Sequence, residues 1–254
     1  MVAQWPPHGV GSGRRVRLAR ELPRLAPDVP VPALVASDSG PGDGVVVTLF
    51  VPGTPGGDLL ATDASALELA AAMGGLSRRL ARVPPRGLRL PARWADPERL
   101  VRDGERWLAR AADVIDAGTA DRMREALARA PLLRHDRPVF AHGDLAPVNV
   151  ILEQGRIVAV LDFERARVAH PLFDAAWWRW IVRYHHPERW AAAWPVFAEA
   201  AGIDTGDPVT TARLDLLGAL QCLEEIDGTP RRERLTRLEW ARRVDAILSW
   251  SEGS

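Results

Sequence analysis

The chain has 254 residues and carries 33 basic and 33 acidic side chains, a balance that argues against holding nucleic acid or an anionic membrane by bulk charge. With 47% hydrophobic and 26% charged residues it reads as a soluble globular protein of one large or two small domains, and its apolar stretches are too short to span a bilayer. Met1 to Arg15 lacks a signal-peptide core and Cys222 is the only cysteine, so a cytoplasmic protein without intrachain disulfides or cysteine-based zinc sites is expected.

The opening residues, with Pro6, Pro7, Gly9, Gly11 and Gly13, are poor material for regular structure. Arg14 to Leu25 predicts a short amphipathic helix, with Val16, Leu18 and Leu22 on or near one face and Pro27, Pro30 and Pro32 stopping it. Ala33 to Ala36 predicts a short strand, Ser37 to Gly44 a hairpin loop, and Val45 to Val51 a buried strand. Pro52-Gly53 and Pro55-Gly56-Gly57 form a loop or hinge. Helices follow over Ser65 to Val83, over Ala95 to Ala117 with Asp96 as N-cap, and over Asp121 to Ala130. A compact β segment comes next: Pro138 to Ala141, Val148 to Leu152, a Gln154-Gly155 turn, and Ile157 to Leu161. The remainder is helical, over about 171–184, 187–201, 208–226 and 231–250.

Residue usage carries a second message. All 33 basic residues are arginines, and Asn149 is the one asparagine. This matches a strongly GC-rich coding sequence, in which a depleted residue type survives where chemistry needs it. Asn149 lies in His142-Gly143-Asp144-Leu145-Ala146-Pro147-Val148-Asn149, followed by Leu161-Asp162-Phe163-Glu164. An Asp, four residues and an Asn is the spacing of a kinase catalytic loop. A hydroxyl nucleophile needs a carboxylate within hydrogen-bond reach to orient it and take its proton. A nearby amide oxygen can hold magnesium without adding negative charge beside phosphates, and a second carboxylate must hold the metal that bridges them. Asp162 can supply that carboxylate if a hairpin through Gln154-Gly155 returns it to Asn149. By chance, His-Gly-Asp-x4-Asn arises roughly 10⁻⁴ times in such a chain.

Phe140 to Asp174 resembles the aminoglycoside phosphotransferase/choline kinase-like family, relatives of the protein kinases. The likeness rests on the His-Gly-Asp-Leu loop, the downstream Asn, the hairpin, the Leu-Asp-Phe segment, and Asp174-Ala175-Ala176 at a helix start. It implies an α+β, protein-kinase-like two-lobe fold: a reduced β-containing N-lobe over residues 1–56 and a large, mainly helical C-lobe over 57–254. It also implies ATP, or GTP in its place, between the lobes with Mg2+. Asp144 would be the catalytic base, Asn149 and Asp162 the metal ligands, and Asp174 and His142 supports of the loop. Upstream, Pro30-Val31-Pro32-Ala33 and Leu49-Phe50-Val51-Pro52-Gly53 look like the family's Val-Pro-x-Pro segment and hinge. The resemblance then makes Phe50 and Val51 candidates for reading the nucleotide base through their backbone. Glu21 falls where the family places the helix glutamate that pairs with a strand lysine.

This chain has no lysine, and too few residues precede Glu21 for three strands and their turns. Either the N-lobe is reduced or the true start lies upstream of Met1. Arg14, Arg15, Arg17 and Arg20 are the cations at hand, with an exposed basic helix face as the plainer reading. Gly9-Val10-Gly11-Ser12-Gly13 looks more like a flexible terminus than a phosphate loop. In the Trp-rich segment 177–186, Trp177, Ile181 and Tyr184 fall on one helical face and predict core packing, with Trp178 or Arg179 as possible substrate contacts. The expected activity is ATP- and Mg-dependent phosphoryl transfer to a hydroxyl of a small antibiotic- or metabolite-type acceptor, with no nucleic-acid or membrane partner and the oligomeric state open. The alternatives are a degenerate kinase fold that binds without catalysis, and a kinase of peptide Ser/Thr.

Overall fold

The computed structural model describes residues 2–4, 12–38, 45–134 and 137–250. The expected hairpin loop falls largely on 39–44, and most of the glycine run on 9–11, outside those residues. On the N-terminal side three short strands make one antiparallel sheet, β1 (Val2–Gln4), β2 (Leu34–Ser37) and β3 (Val46–Thr48), in the order β1-β3-β2. Helix α1 (Ser12–Leu25) buries Val16, Leu18 and Leu22. The strand at Val2–Gln4 was not expected: its partner lies more than forty residues on, so no local pattern announces it.

Strand β3 is shorter than the apolar run that predicts it. The Leu49 N–H still donates to the Ala33 carbonyl at 2.9 Å, but the ladder stops there. Leu49 and Phe50 lie at and beyond the end of the ladder as exposed side chains rather than as part of a buried strand, with Phe50 65% exposed.

After the hinge, β4 (Thr54–Pro55), β6 (Val150–Glu153) and β7 (Arg156–Val160) form a second sheet in the order β4-β6-β7. Gln154 and Gly155 close the β6–β7 hairpin with φ values of 50° and 72°, the double positive φ of a tight two-residue turn. Strand β5 (Val139–Ala141) pairs with β8 (Arg167–Ala169), which the sequence reading did not anticipate.

Among the described residues seven further helices surround these strands: α2 (Asp63–Leu80), α3 (Pro97–Arg110), α4 (Ala117–Ala128), α5 (Phe173–His185), α6 (Pro187–Ala201), α7 (Pro208–Gly228) and α8 (Arg234–Trp250). Asp96 caps α3 as expected, accepting from the Glu98 and Arg99 N–H groups. The single helix expected over Ala95 to Ala117 ends instead at Arg110. Asp116, accepting from the Thr119 N–H and hydroxyl, sets a new N-terminus and starts α4 ahead of its expected beginning. Helix α2 packs closely on α6 because Gly74 has no side chain; a Cβ there would lie 2.2 Å from the Phe197 carbonyl oxygen. Trp107, Trp178, Phe140, Phe173 and Phe197 are the largest fully buried side chains of the core. Cys222 is buried in α7, where desolvation pushes its thiol pKa up, so it acts as a small apolar core residue. Among the described residues no helix is long and apolar enough to cross a membrane.

Candidate active site

The loop between β5 and β6 carries the motif. Gly143 sits at φ +87°, and a Cβ there would lie 2.0 Å from the Arg165 carbonyl oxygen, so only glycine fits between His142 and Asp144. Asp174, in the first turn of α5, is buried, and its carboxylate accepts from the His142 N–H at 2.8 Å and the Gly143 N–H at 3.0 Å. Burial raises its pKa, while the two backbone donors pull the other way. The Asp144 N–H donates to His142 Nδ1 at 3.2 Å, and His142 Nε2–H donates to the Leu161 carbonyl at 2.8 Å. These partners require the ring proton on Nε2. The buried imidazole thus ties the loop of Asp144 to the residue just before Asp162.

Asn149 lies at the head of the hairpin. Its Nδ2 donates to the Asp144 carbonyl at 2.9 Å, which leaves the amide oxygen for a cation. The Leu161 N–H donates to the Asn149 carbonyl at 2.8 Å, so the hairpin does bring Asp162 back beside Asn149. Asp162 takes a left-handed backbone, φ 60° and ψ 62°, a region where Asp is one of the few non-glycine residues to go. Its Oδ1 is buried without a hydrogen-bond partner. A buried carboxylate oxygen without a partner, on the residue after the one that bonds the Asn149 backbone, suits a magnesium ion, which takes one or two protein oxygens and completes its shell with phosphate and water. No cluster of three His, Cys, Asp or Glu able to hold a metal occurs among the described residues, so phosphate oxygens would have to complete such a shell.

A cavity of about 170 Å³ lies between the N-terminal sheet and the β6–β7 hairpin. Phe50, Val51, Val31, Ile151, Asp162 and Arg15 are among the residues that line it. Phe50 and Val51 follow the end of the β3 ladder and line this cavity.

Glu21 does not join this group. Its side chain is 42% exposed and its ion-pair partner is Arg24, at 3.9 Å on the same helix. Trp178 and Arg179 do not face a substrate site either. Trp178 is fully buried, stacked on Phe197 with ring centroids 4.2 Å apart, and Arg179 pairs with Asp215 in the interior. Helical periodicity could not tell a Trp that packs from one that works. Trp177, expected to be plain core, donates its indole N–H to Asp144 Oδ1 at 2.7 Å and holds that carboxylate in place. Its signal in the sequence is its place three residues after Asp174, one turn along α5 from the residue that braces the loop. Glu164, two residues after Asp162, is largely buried and paired with Arg15 at 2.6 Å.

An Asp–x4–Asn loop braced by a buried carboxylate, a hairpin that returns a second Asp, and a cleft under a small sheet define a protein-kinase-like phosphotransferase. The chain matches the profile of the phosphotransferase enzyme family (APH) over residues 4–209, and it belongs to that family. No curated protein matches it in sequence. In fold it is similar to a mutant of aminoglycoside 2'-phosphotransferase-IIIa in complex with GDP, at 15% identity and a TM-score of 0.79, over 99% of this chain and 86% of that one. It is also similar to the macrolide 2'-phosphotransferase MphH from Brachybacterium faecium, at 23% identity and a TM-score of 0.66, over 95% and 82%. A third likeness is a thermostable mutant of aminoglycoside phosphotransferase APH(4)-Ia in ternary complex with ADP and hygromycin B, at 15% identity and a TM-score of 0.64, over 97% and 84%.

Proposed function

We propose that this phosphotransferase moves the γ-phosphoryl group of ATP or GTP, with magnesium, to a hydroxyl of a small molecule. Residues 1–56 form the nucleotide-side lobe and 57–254 the catalytic lobe. The observation that carries the reading is the joint placement of three oxygen-bearing side chains: Asp144 on its braced loop, and Asn149 beside Asp162 across the hairpin. Asp144 orients the acceptor hydroxyl and takes its proton. Trp177 occupies Oδ1 of that carboxylate and leaves Oδ2 to the acceptor. Asn149 and Asp162 are the residues that would hold magnesium, which when bound neutralises charge on the phosphate oxygens. Phe50 and Val51 offer backbone groups to the edge of the base.

Asp144→Asn keeps the shape of the base and removes the proton acceptor. Nucleotide turnover, followed as magnesium-dependent ADP or GDP release with a panel of neutral and polycationic alcohols, should fall about 10²-fold or more. Nucleotide affinity should hold. Near-normal turnover in this variant would remove Asp144 from the role, and no nucleotide binding at millimolar concentration in the unaltered protein would leave the degenerate-fold reading in its place.

A further inference from the structure

We propose that Arg15 is the phosphate-binding cation of this protein, carried on helix α1 and held by Glu164, so that the cation comes from the helix and the carboxylate from the loop after Asp162. The proposal rests on the nucleotide reading of the cleft. A triphosphate set beside Asp162 and Glu164 brings negative charge to negative charge, and a cation other than magnesium must compensate it. The chain has no lysine to supply one. Among the arginines of α1 the structure separates the candidates. Arg17 donates to the carbonyls of Leu88 (3.1 Å) and Arg89 (3.4 Å), and Arg20 reaches the Ser37 hydroxyl at 3.5 Å. Arg14 donates to the Glu164 carbonyl at 3.0 Å and so fastens the start of the helix to the metal-side loop. Arg15 lines the cavity together with Asp162, Phe50 and Val51.

Its guanidinium meets Glu164 Oε1 at 2.6 Å, with the two side chains only 9% and 13% exposed. A buried guanidinium needs such a partner, and the pair holds it in one place before any ligand arrives. The guanidinium is a fork of five donors, so a carboxylate can take one side while a phosphate oxygen takes another. Glu21, the helix carboxylate the resemblance singles out, points away from this chemistry to Arg24. The ion pair at the cleft is thus reversed relative to a strand lysine with a helix glutamate.

The test compares binding of a magnesium nucleoside triphosphate with that of its nucleoside, by calorimetry: ATP against adenosine and GTP against guanosine. The nucleoside lacks phosphates, so a change in packing moves both affinities and a lost phosphate contact moves only one. Arg15→Gln should weaken triphosphate binding by about tenfold or more and leave the nucleoside unchanged. Arg15→Lys should recover most of the loss. Should Arg15→Gln unfold the protein by stranding Glu164, the double variant Arg15→Gln/Glu164→Gln removes both charges together and should fold with the same loss of triphosphate preference. Arg17→Gln, on the far side of the helix, should leave the ratio as it is. An unchanged triphosphate-to-nucleoside ratio in the folded Arg15 variants, while the unaltered protein binds both, overturns the assignment of Arg15 alone. Absence of any nucleotide binding in the unaltered protein overturns the nucleotide reading, and this proposal with it.

Discussion

The catalytic loop and the nucleotide side of the cleft are built by opposite strategies. Around Asp144, each support is a buried, directional bond from another element: Asp174 from α5, Trp177 one turn later, and His142 reaching across to Leu161. On the nucleotide side, three strands of three or four residues and one helix make the wall, and Leu49 and Phe50 stand exposed. The first region is preorganised, so positions are held before substrate binds. The second is built, among the described residues, from these few short strands and α1. The Arg15–Glu164 pair and the Arg14 bond to the Glu164 carbonyl anchor α1 to the rigid half.

That contrast can be broken at its strongest point. Asp174→Ala strands two buried backbone N–H groups, and each unsatisfied donor costs about 1–3 kcal/mol, so a loss of roughly 2–6 kcal/mol of stability is expected. Thermal or urea unfolding measures it, and a shift of less than about 0.5 kcal/mol would mean the loop is held by something other than this brace.

The proposed metal pair comes next. Asn149→Ala and Asp162→Ala should each weaken magnesium-dependent nucleotide binding by about tenfold, and the double variant should lose less than the sum because both serve one ion. Strict additivity in a calorimetric cycle would refute the shared ion.

Trp177→Phe keeps the ring and deletes the donor to Asp144. A hydrogen bond to a charged acceptor is worth about 1.5–3 kcal/mol, and the part expressed in the transition state should lower kcat by about tenfold with KM for nucleotide unchanged. An equal rise in KM would point to a packing role instead.

The smallest effect is a pH slope. The Glu164 carboxyl is raised above its ordinary value of 4.5, by burial first and by the charge of Asp162 second, with Arg15 and Arg165 opposing. A raised carboxyl keeps its proton longer in the folded chain than in the unfolded one, so stability falls as pH rises from the ordinary value through the raised one. Glu164→Gln removes that slope. The melting temperature of the unaltered protein, taken relative to the Gln variant, should therefore fall between pH 4.5 and neutrality. Parallel melting curves over that range would contradict the raised carboxyl.

The sequence by itself determined what depends on neighbours in the chain. His142 to Asn149 needs a glycine beside the base and an amide five residues on, and the Gln154-Gly155 turn then decides which strand returns. Helices α2, α5, α6, α7 and α8 are long enough for apolar periodicity to outline them, and Asp96 marks the start of α3. Only the tertiary structure decided what depends on a distant partner. Strand β1 exists because β3 is there to pair with it, and β8 because β5 is. The same holds for the side chains of the site. Trp177 and Trp178 are neighbours with equal hydrophobic weight, yet the pitch of α5 turns one indole to Asp144 and the other to Phe197. Arg15 and Glu164 are 149 positions apart, and no periodicity links them; packing of α1 against the loop after Asp162 does.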